Sequence, residues 1–101
     1  MDTNSISKLK EVEEVFGHPA RLRIVRALLG DPVGLGQAQL KERTGLNAST
    51  LERHARILVL ADILLLNLPL SETRRGRPLY YRLNTVRYNA IYGEFCELMR
   101  P

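Results

Sequence analysis

The amino-acid sequence predicts a mainly α-helical domain with one small β-hairpin. Three observations lead to this fold class. Apolar residues recur at helical spacing over most of the chain, a glycine separates two short helices in its middle, and two strand-like segments flank an arginine-rich turn. The length of 101 residues and the hydrophobic content of 45% are typical of a single folded domain. We therefore expect residues 1–101 to form one domain.

Composition excludes several classes of protein. No apolar run approaches the roughly 18 residues of a membrane span, and the polar N-terminal stretch differs from a secretory signal. We therefore expect a cytoplasmic protein with no membrane partner. The single cysteine, Cys96, has no intrachain partner for a disulfide or a thiolate metal cage.

Two helices are predicted in the first third of the chain. The first begins near Ser5 and ends at Gly17, with apolar residues at helical spacing between charged ones. The second begins at Pro19, which suits a first helical turn, and ends before Gly30. Its apolar face is expected to consist of Leu22, Val25, Leu28 and Leu29.

The stretch QAQLKERTGLNASTLERHARILVLADI predicts two helices separated by a turn. Gly45 suits the left-handed position after the first helix, and Asn47 can cap the second. Spacing assigns the inner face of the second helix to Leu51, Ala55 and Leu58. The remaining outer face is small, polar and basic, a pattern typical of a helix-turn-helix.

Residues 63–70 and 78–84 have strand composition, and the turn between them contains Arg74, Arg75 and Arg77. Residues 43–87 hold eight basic residues, all arginine, against three acidic ones. Arginine forks match phosphates and guanine edges, so nucleic acid is the favoured partner. The alternative is a solvated turn whose charges discourage pairing of sheet edges.

The runs GHPARLRIVRALL, LKERTGLNASTLERHARIL and GRPLYYRL resemble, in their order and spacing, the winged helix-turn-helix regulators of the ArsR type and the related MarR- and PadR-like repressors. The resemblance covers roughly residues 16–84. It implies sequence-specific binding of double-stranded DNA by a transcriptional regulator. The helix at about 47–60 would enter the major groove, and the wing at about 71–78 would contact phosphate or the minor groove.

The candidate DNA-binding residues lie on this helix and in the wing. They are Ala48, Ser49, Thr50, Arg53, Arg56, Arg74, Arg75 and Arg77. We expect Ser49, Thr50 and Arg53 near base edges or phosphates and Arg56 on the backbone. Glu52 can accept from a cytosine or pair with Arg56 four residues on, and the intrahelical pair is favoured. For His54 a local hydrogen bond is the expected role.

Many ArsR-type proteins bind metals, but the ligand patterns that the resemblance would require are missing. The stretch QAQLKERT contains no cysteine, and residues 85–101 contain no histidine. We expect no metal and no cofactor. Two further departures from the family are Asp62, where glycine is common, and the strongly apolar strand at 63–70.

The terminal helices predict a homodimer. Related regulators pair through their first and last helices, and TVRYNAIYGEFCELMR carries a wide apolar stripe. The candidate interface residues are Ile6, Leu9, Tyr88, Ile91, Tyr92, Phe95, Leu98 and Met99. The alternative is that both helices close over the core of their own chain.

Catalysis is not expected, because no phosphate loop, carboxylate pair, nucleophile elbow or Cys/His arrangement is present. The rival to a DNA-binding regulator is a winged-helix module for protein–protein interaction. Such a module would use the apolar strand at 63–70 as its contact surface.

Overall fold

The computed structural model describes residues 2–68 and 79–101 of the chain. In these ranges five helices and three short strands follow one another. Their order is α1 (Thr3–Phe16), α2 (Pro19–Leu29), β1 (Leu35–Gly36), α3 (Gln37–Thr44), α4 (Ala48–Leu60), β2 (Leu64–Leu66), β3 (Tyr80–Leu83) and α5 (Thr85–Leu98). The fold class is confirmed as mainly helical with a small antiparallel sheet.

Short polar caps fix where the first two helices begin. The Asp2 carboxylate accepts from the Ser5 amide at 2.7 Å, so α1 starts two residues before the expected Ser5. At α2 the His18 ring nitrogen Nδ1 accepts from the Ala20 amide at 3.0 Å, and Pro19 occupies the first helical position. These caps satisfy amide groups that the helices leave unpaired.

The sheet has the strand order β1-β3-β2, with both pairs antiparallel. The predicted hairpin is present as β2 and β3, although the described strands are shorter than 63–70 and 78–84. The sequence did not predict β1, because a two-residue strand gives no alternating pattern. Gly34 leads into it at φ 105°, where a β-carbon would lie 2.7 Å from the Tyr81 carbonyl oxygen, so glycine permits this close approach.

Helix α2 packs against α1, α3, α4 and β3, and its buried side differs from the predicted one. Val25 and Leu28 are buried as expected, but Leu22 and Leu29 are 43% and 42% exposed. The residues that complete the buried side are Ala20 and Ile24. The prediction was wrong because α2 carries more leucines than one core-facing stripe can hold, and helical spacing alone does not select among them.

Helices α1 and α5 pack together and close one side of the core. The Phe16 ring meets Tyr88 edge-on at 6.2 Å and Phe95 at 5.2 Å between ring centroids. Glu11 on α1 and Glu94 on α5 each have one buried carboxyl oxygen without a hydrogen-bond partner among the described residues, and the Arg87 guanidinium lies 3.9 Å from that oxygen of Glu11. Burial, together with hydrogen bonding to Glu11 and its negative charge, raises the pKa of Glu94.

Candidate nucleic-acid interface

The turn between α3 and α4 is built by three consecutive residues. Gly45 adopts the predicted left-handed conformation at φ 73°, and its amide donates to the Lys41 carbonyl at 2.9 Å. The Thr44 hydroxyl donates to the Leu40 carbonyl at 2.6 Å and accepts from the Leu46 amide at 3.3 Å. This arrangement ends α3 and directs the chain into a second helix, so a helix-turn-helix is present.

Helix α4 starts at a polar cap, as predicted. The Asn47 side-chain oxygen accepts from the Thr50 amide at 2.9 Å and from the Ser49 hydroxyl at 3.1 Å. The cap lies on the outside of the molecule, because Asn47 and Ser49 are both exposed. The first turn of α4 therefore presents a hydroxyl and amide groups to solvent. Such a helix N-terminus is a favourable environment for an anion.

The exposed side of α4 contains most of the predicted contact residues. Leu51, Ala55 and Leu58 are buried as expected. Ser49, Arg53 and Arg56 are exposed, while Ala48 and Thr50 are half-buried. Within the described ranges no ion pair involves Arg53 or Arg56. Two guanidinium groups on this side are consequently available to bind anions.

Glu52 does not form the expected pair with Arg56. Its carboxylate accepts a hydrogen bond of 2.9 Å from the Gln37 side chain, at the start of α3. The prediction was wrong because it considered only neighbours within α4, whereas the turn brings the first residue of α3 close. The bond links the two helices across the motif and leaves Arg56 free of an intrahelical acid.

His54 has a long-range partner instead of the expected local one. Its ring is buried on the inner side of α4 and lies 3.1 Å from the Arg21 guanidinium through Nδ1. Because Arg21 stays protonated, Nδ1 must accept and the ring proton belongs on Nε2. The His18 ring stacks on it at 4.2 Å. Burial, followed by the charges of His18, Arg21 and Arg53, lowers the pKa of His54, so this histidine positions α4 as a neutral ring.

Asp62 directs the chain from α4 into β2. It has φ 66°, the left-handed conformation that favours glycine. Its amide donates to the Val59 carbonyl, and the Ile63 amide donates to the Leu58 carbonyl at 2.9 Å. Together these two bonds form the usual left-handed termination of a helix. The residue thus adopts the path that a glycine would take.

The outer face of the sheet contributes two residues that the sequence analysis missed. Tyr80 and Arg82 alternate with the buried Tyr81 and Leu83, so they face outward at the base of the hairpin. In the segment YYRL, the two-residue period of a strand was the sequence signal that could have identified Tyr80 and Arg82 as outward-facing. The predicted wing contacts Arg74, Arg75 and Arg77 lie outside the described residues.

The predicted dimer residues fall into three groups by burial. Ile6, Tyr92 and Met99 are exposed, and Leu9, Tyr88, Phe95 and Leu98 are half-buried. Ile91 is fully buried within its own chain and offers no surface to a partner, so its assignment to the interface is corrected. The helical spacing grouped Ile91 with its exposed neighbours, because spacing alone does not distinguish the inner side of α5 from the outer side.

Residues 2–68 and 79–101 contain neither a metal-binding cluster nor a membrane-spanning helix. No group of three or more His, Cys, Asp or Glu side chains there could hold a metal ion. No helix in the same ranges is long and apolar enough to cross a membrane.

A known structure resembles the whole chain. The transcriptional repressor BigR from Xylella fastidiosa superposes with a TM-score of 0.64 over 100% of both chains, at 17% sequence identity. No protein-family model and no curated protein matches the sequence. At this level of identity the similarity concerns the fold, and it confirms that the chain has a winged helix fold.

Proposed function

We propose that the protein is a sequence-specific regulator of transcription that binds double-stranded DNA. The observation that carries this proposal is the exposed side of α4. There Arg53 and Arg56 stand without acidic partners among the described residues, directly after a helix-turn-helix turn. The fold shared with a transcriptional repressor supports it. In this proposal α4, with its cap at Asn47, lies in the major groove and the chain carries no catalytic step.

The residues of α4 divide into two roles. Ser49 and Arg53 lie in the first two turns, which enter a groove most deeply in this docking geometry, so we assign them to base edges. Thr50 and Ala48 are half-buried and contribute van der Waals contacts at the same end. Arg56 lies one turn further along and grips a phosphate.

The wing supplies a second contact. Arg74, Arg75 and Arg77 would meet phosphates or the minor groove, where narrow A-tracts concentrate negative potential. The outward-facing Arg82 lies on β3, the second strand of the hairpin, and adds a further positive charge to the exposed face of the sheet. Its neighbour Tyr80 can pack on the sugar–phosphate backbone.

A homodimer would place two copies of α4 on successive turns of a pseudo-palindromic site, roughly 34 Å apart. The exposed apolar residues near the chain ends support pairing through α1 and α5. Val86 and Met99 are 80% and 65% exposed, and Ile6 and Tyr92 are also exposed. Apolar groups left in water by one chain are removed from it by a second copy.

The experiment that tests the proposal is fluorescence anisotropy of the full chain on a random duplex and on duplexes selected from a random pool, each at several salt concentrations. Affinity should fall steeply with salt, because each neutralised phosphate contributes a slope of about −0.9. The double substitution of Arg53 and Arg56 by alanine should reduce the magnitude of that slope by about one unit, for the phosphate contact of Arg56, and should also weaken the preference for the selected duplexes through loss of the base-edge contact of Arg53. The Arg26→Ala variant, which removes one exposed arginine from α2, serves as the control for a general loss of positive charge and should keep the slope.

The rival function is protein–protein interaction through the apolar strand at 63–70. The described part of that strand supports it, because β2 is an edge strand with Leu65 and Leu66 half-buried. The anisotropy measurement separates the two functions. Affinity that is absent or independent of salt would reject the DNA-binding regulator and favour the interaction module.

A further inference from the structure

A cleft of about 460 Å³ lies between α2 and α3, and none of its lining residues is among those assigned to DNA or to a second copy of the chain. Its lining residues are Leu22, Arg23, Arg26, Ala27 and Arg43. None of them belongs to α4, to the wing or to the terminal helices. The volume falls within the roughly 300–1,000 Å³ of small-molecule sites.

The floor of the cleft is apolar. Leu22 is 43% exposed, and Ala27 is half-buried because part of its side chain packs against the core. The exposed Leu29 lies two turns beyond Leu22 on α2, about 10 Å further along the helix, and extends the apolar surface in that direction. A ligand with an apolar chain or ring would remove this surface from water.

The rim of the cleft is cationic. The Arg26 guanidinium has no hydrogen-bond or ion-pair partner among the described residues. Arg23 makes only one long hydrogen bond, 3.4 Å to the Thr44 carbonyl. Arg43 pairs with the Asp31 carboxylate at 3.6 Å and is half exposed. Three guanidinium groups thus surround the floor with a single carboxylate among them.

We propose that this cleft binds a small carboxylate with an apolar body. The guanidinium forks match the two oxygens of a carboxylate, and Arg43 already holds one carboxylate, that of Asp31. The apolar floor favours this ligand over inorganic anions and nucleic-acid phosphates, because those anions have no apolar surface to bury against Leu22 and Ala27. The positive charges of the arginines repel cationic ligands that have a similar apolar body. This inference is independent of DNA binding.

The test is an NMR titration of the full-length, isotope-labelled chain with octanoate below the concentration at which it forms micelles. The methyl signals of Leu22 and Ala27 should shift and saturate. Acetate carries the head group alone and octylammonium carries the opposite charge, so neither should produce a saturable shift. Absence of saturation with octanoate, or equal shifts with octylammonium, would overturn the proposal.

Variants locate the binding site. Arg26→Gln keeps a polar side chain but removes the charge, and it should weaken octanoate binding about tenfold, as expected for a charge-assisted hydrogen bond. Leu22→Ser should weaken it by a similar factor through loss of the floor. Both residues are exposed, so folding is expected to persist, and unchanged amide spectra elsewhere check this. Arg56→Gln on α4 is the matched control and should bind as the parent does. Equal affinity in all variants would place octanoate elsewhere and refute the proposed site.

Discussion

Substitution of Asp62 by glycine should stabilise the protein. Asp62 is the only non-glycine residue with positive φ in the described ranges, at 66°. A side chain in this conformation costs about 1–2 kcal/mol, with aspartate near the lower end because it tolerates the left-handed region. Its negative charge directly after the C-terminus of α4 adds an unfavourable helix-dipole interaction of about 0.3–1 kcal/mol.

Glycine removes both costs but loses more conformational entropy on folding, about 0.5–1 kcal/mol. The expected net gain is therefore about 0.5–1 kcal/mol. For a domain of this size each kcal/mol raises Tm by roughly 4–8 °C. The hydrogen bonds of the Asp62 and Ile63 amides involve backbone atoms alone and should be retained.

The assay is urea unfolding followed by circular dichroism at fixed protein concentration, because dimerisation would couple stability to concentration. Two further variants separate the contributions. Asp62→Asn removes the charge and keeps a residue that tolerates this backbone, so it should gain only the dipole contribution. Asp62→Ala should be less stable than Asp62→Gly by about 0.5–1 kcal/mol, which is the cost of the left-handed conformation less the entropy cost of glycine. If the alanine variant equals or exceeds the glycine variant in stability, the left-handed geometry assigned to Asp62 is wrong.

Two other perturbations concern the terminal helices. Since the pKa of Glu94 is raised in the fold, the stabilisation from its protonation is complete below the ordinary glutamate pKa of about 4.3 and is lost as pH rises through the raised value. Glu94→Gln should therefore be more stable than the parent above that window and no more stable below it, as measured by urea midpoints across pH; parallel pH profiles of the parent and the variant would contradict the raised pKa of Glu94. Under the dimer proposal, replacing Tyr92 and Met99 by glutamate should yield folded monomers in sedimentation, whereas a polar residue at the buried Ile91 should unfold the chain. An unchanged dimer mass for the Tyr92 and Met99 variant would reject that interface.

Local signals account for what the sequence predicted. The start of α4 follows from a glycine that adopts positive φ at position 45 and a capping side chain at Asn47, and both act over a few residues. The inner residues Leu51, Ala55 and Leu58 follow from helical period alone. For these reasons the sequence alone predicts the helix-turn-helix and the exposed side of its second helix.

The features that were missed depend on contacts between distant segments. Gln37 binds Glu52 across the turn, and Arg21 binds His54 over 33 residues of sequence. Neither pair has a sequence spacing that indicates it. The exposure of Leu22 likewise depends on which side of α2 the other helices cover, and a periodic pattern with surplus leucines does not determine that.

Under the proposed function, the exposed side of α4 contacts duplex DNA. The most direct measurement is an NMR titration of the labelled full-length chain with a selected duplex, read at the amide signals of Ser49, Arg53 and Arg56. If α4 lies in the groove, these signals should shift or broaden strongly, whereas the signal of Leu29, the exposed last residue of α2, should change little. Undisturbed α4 signals in the presence of bound duplex would contradict it.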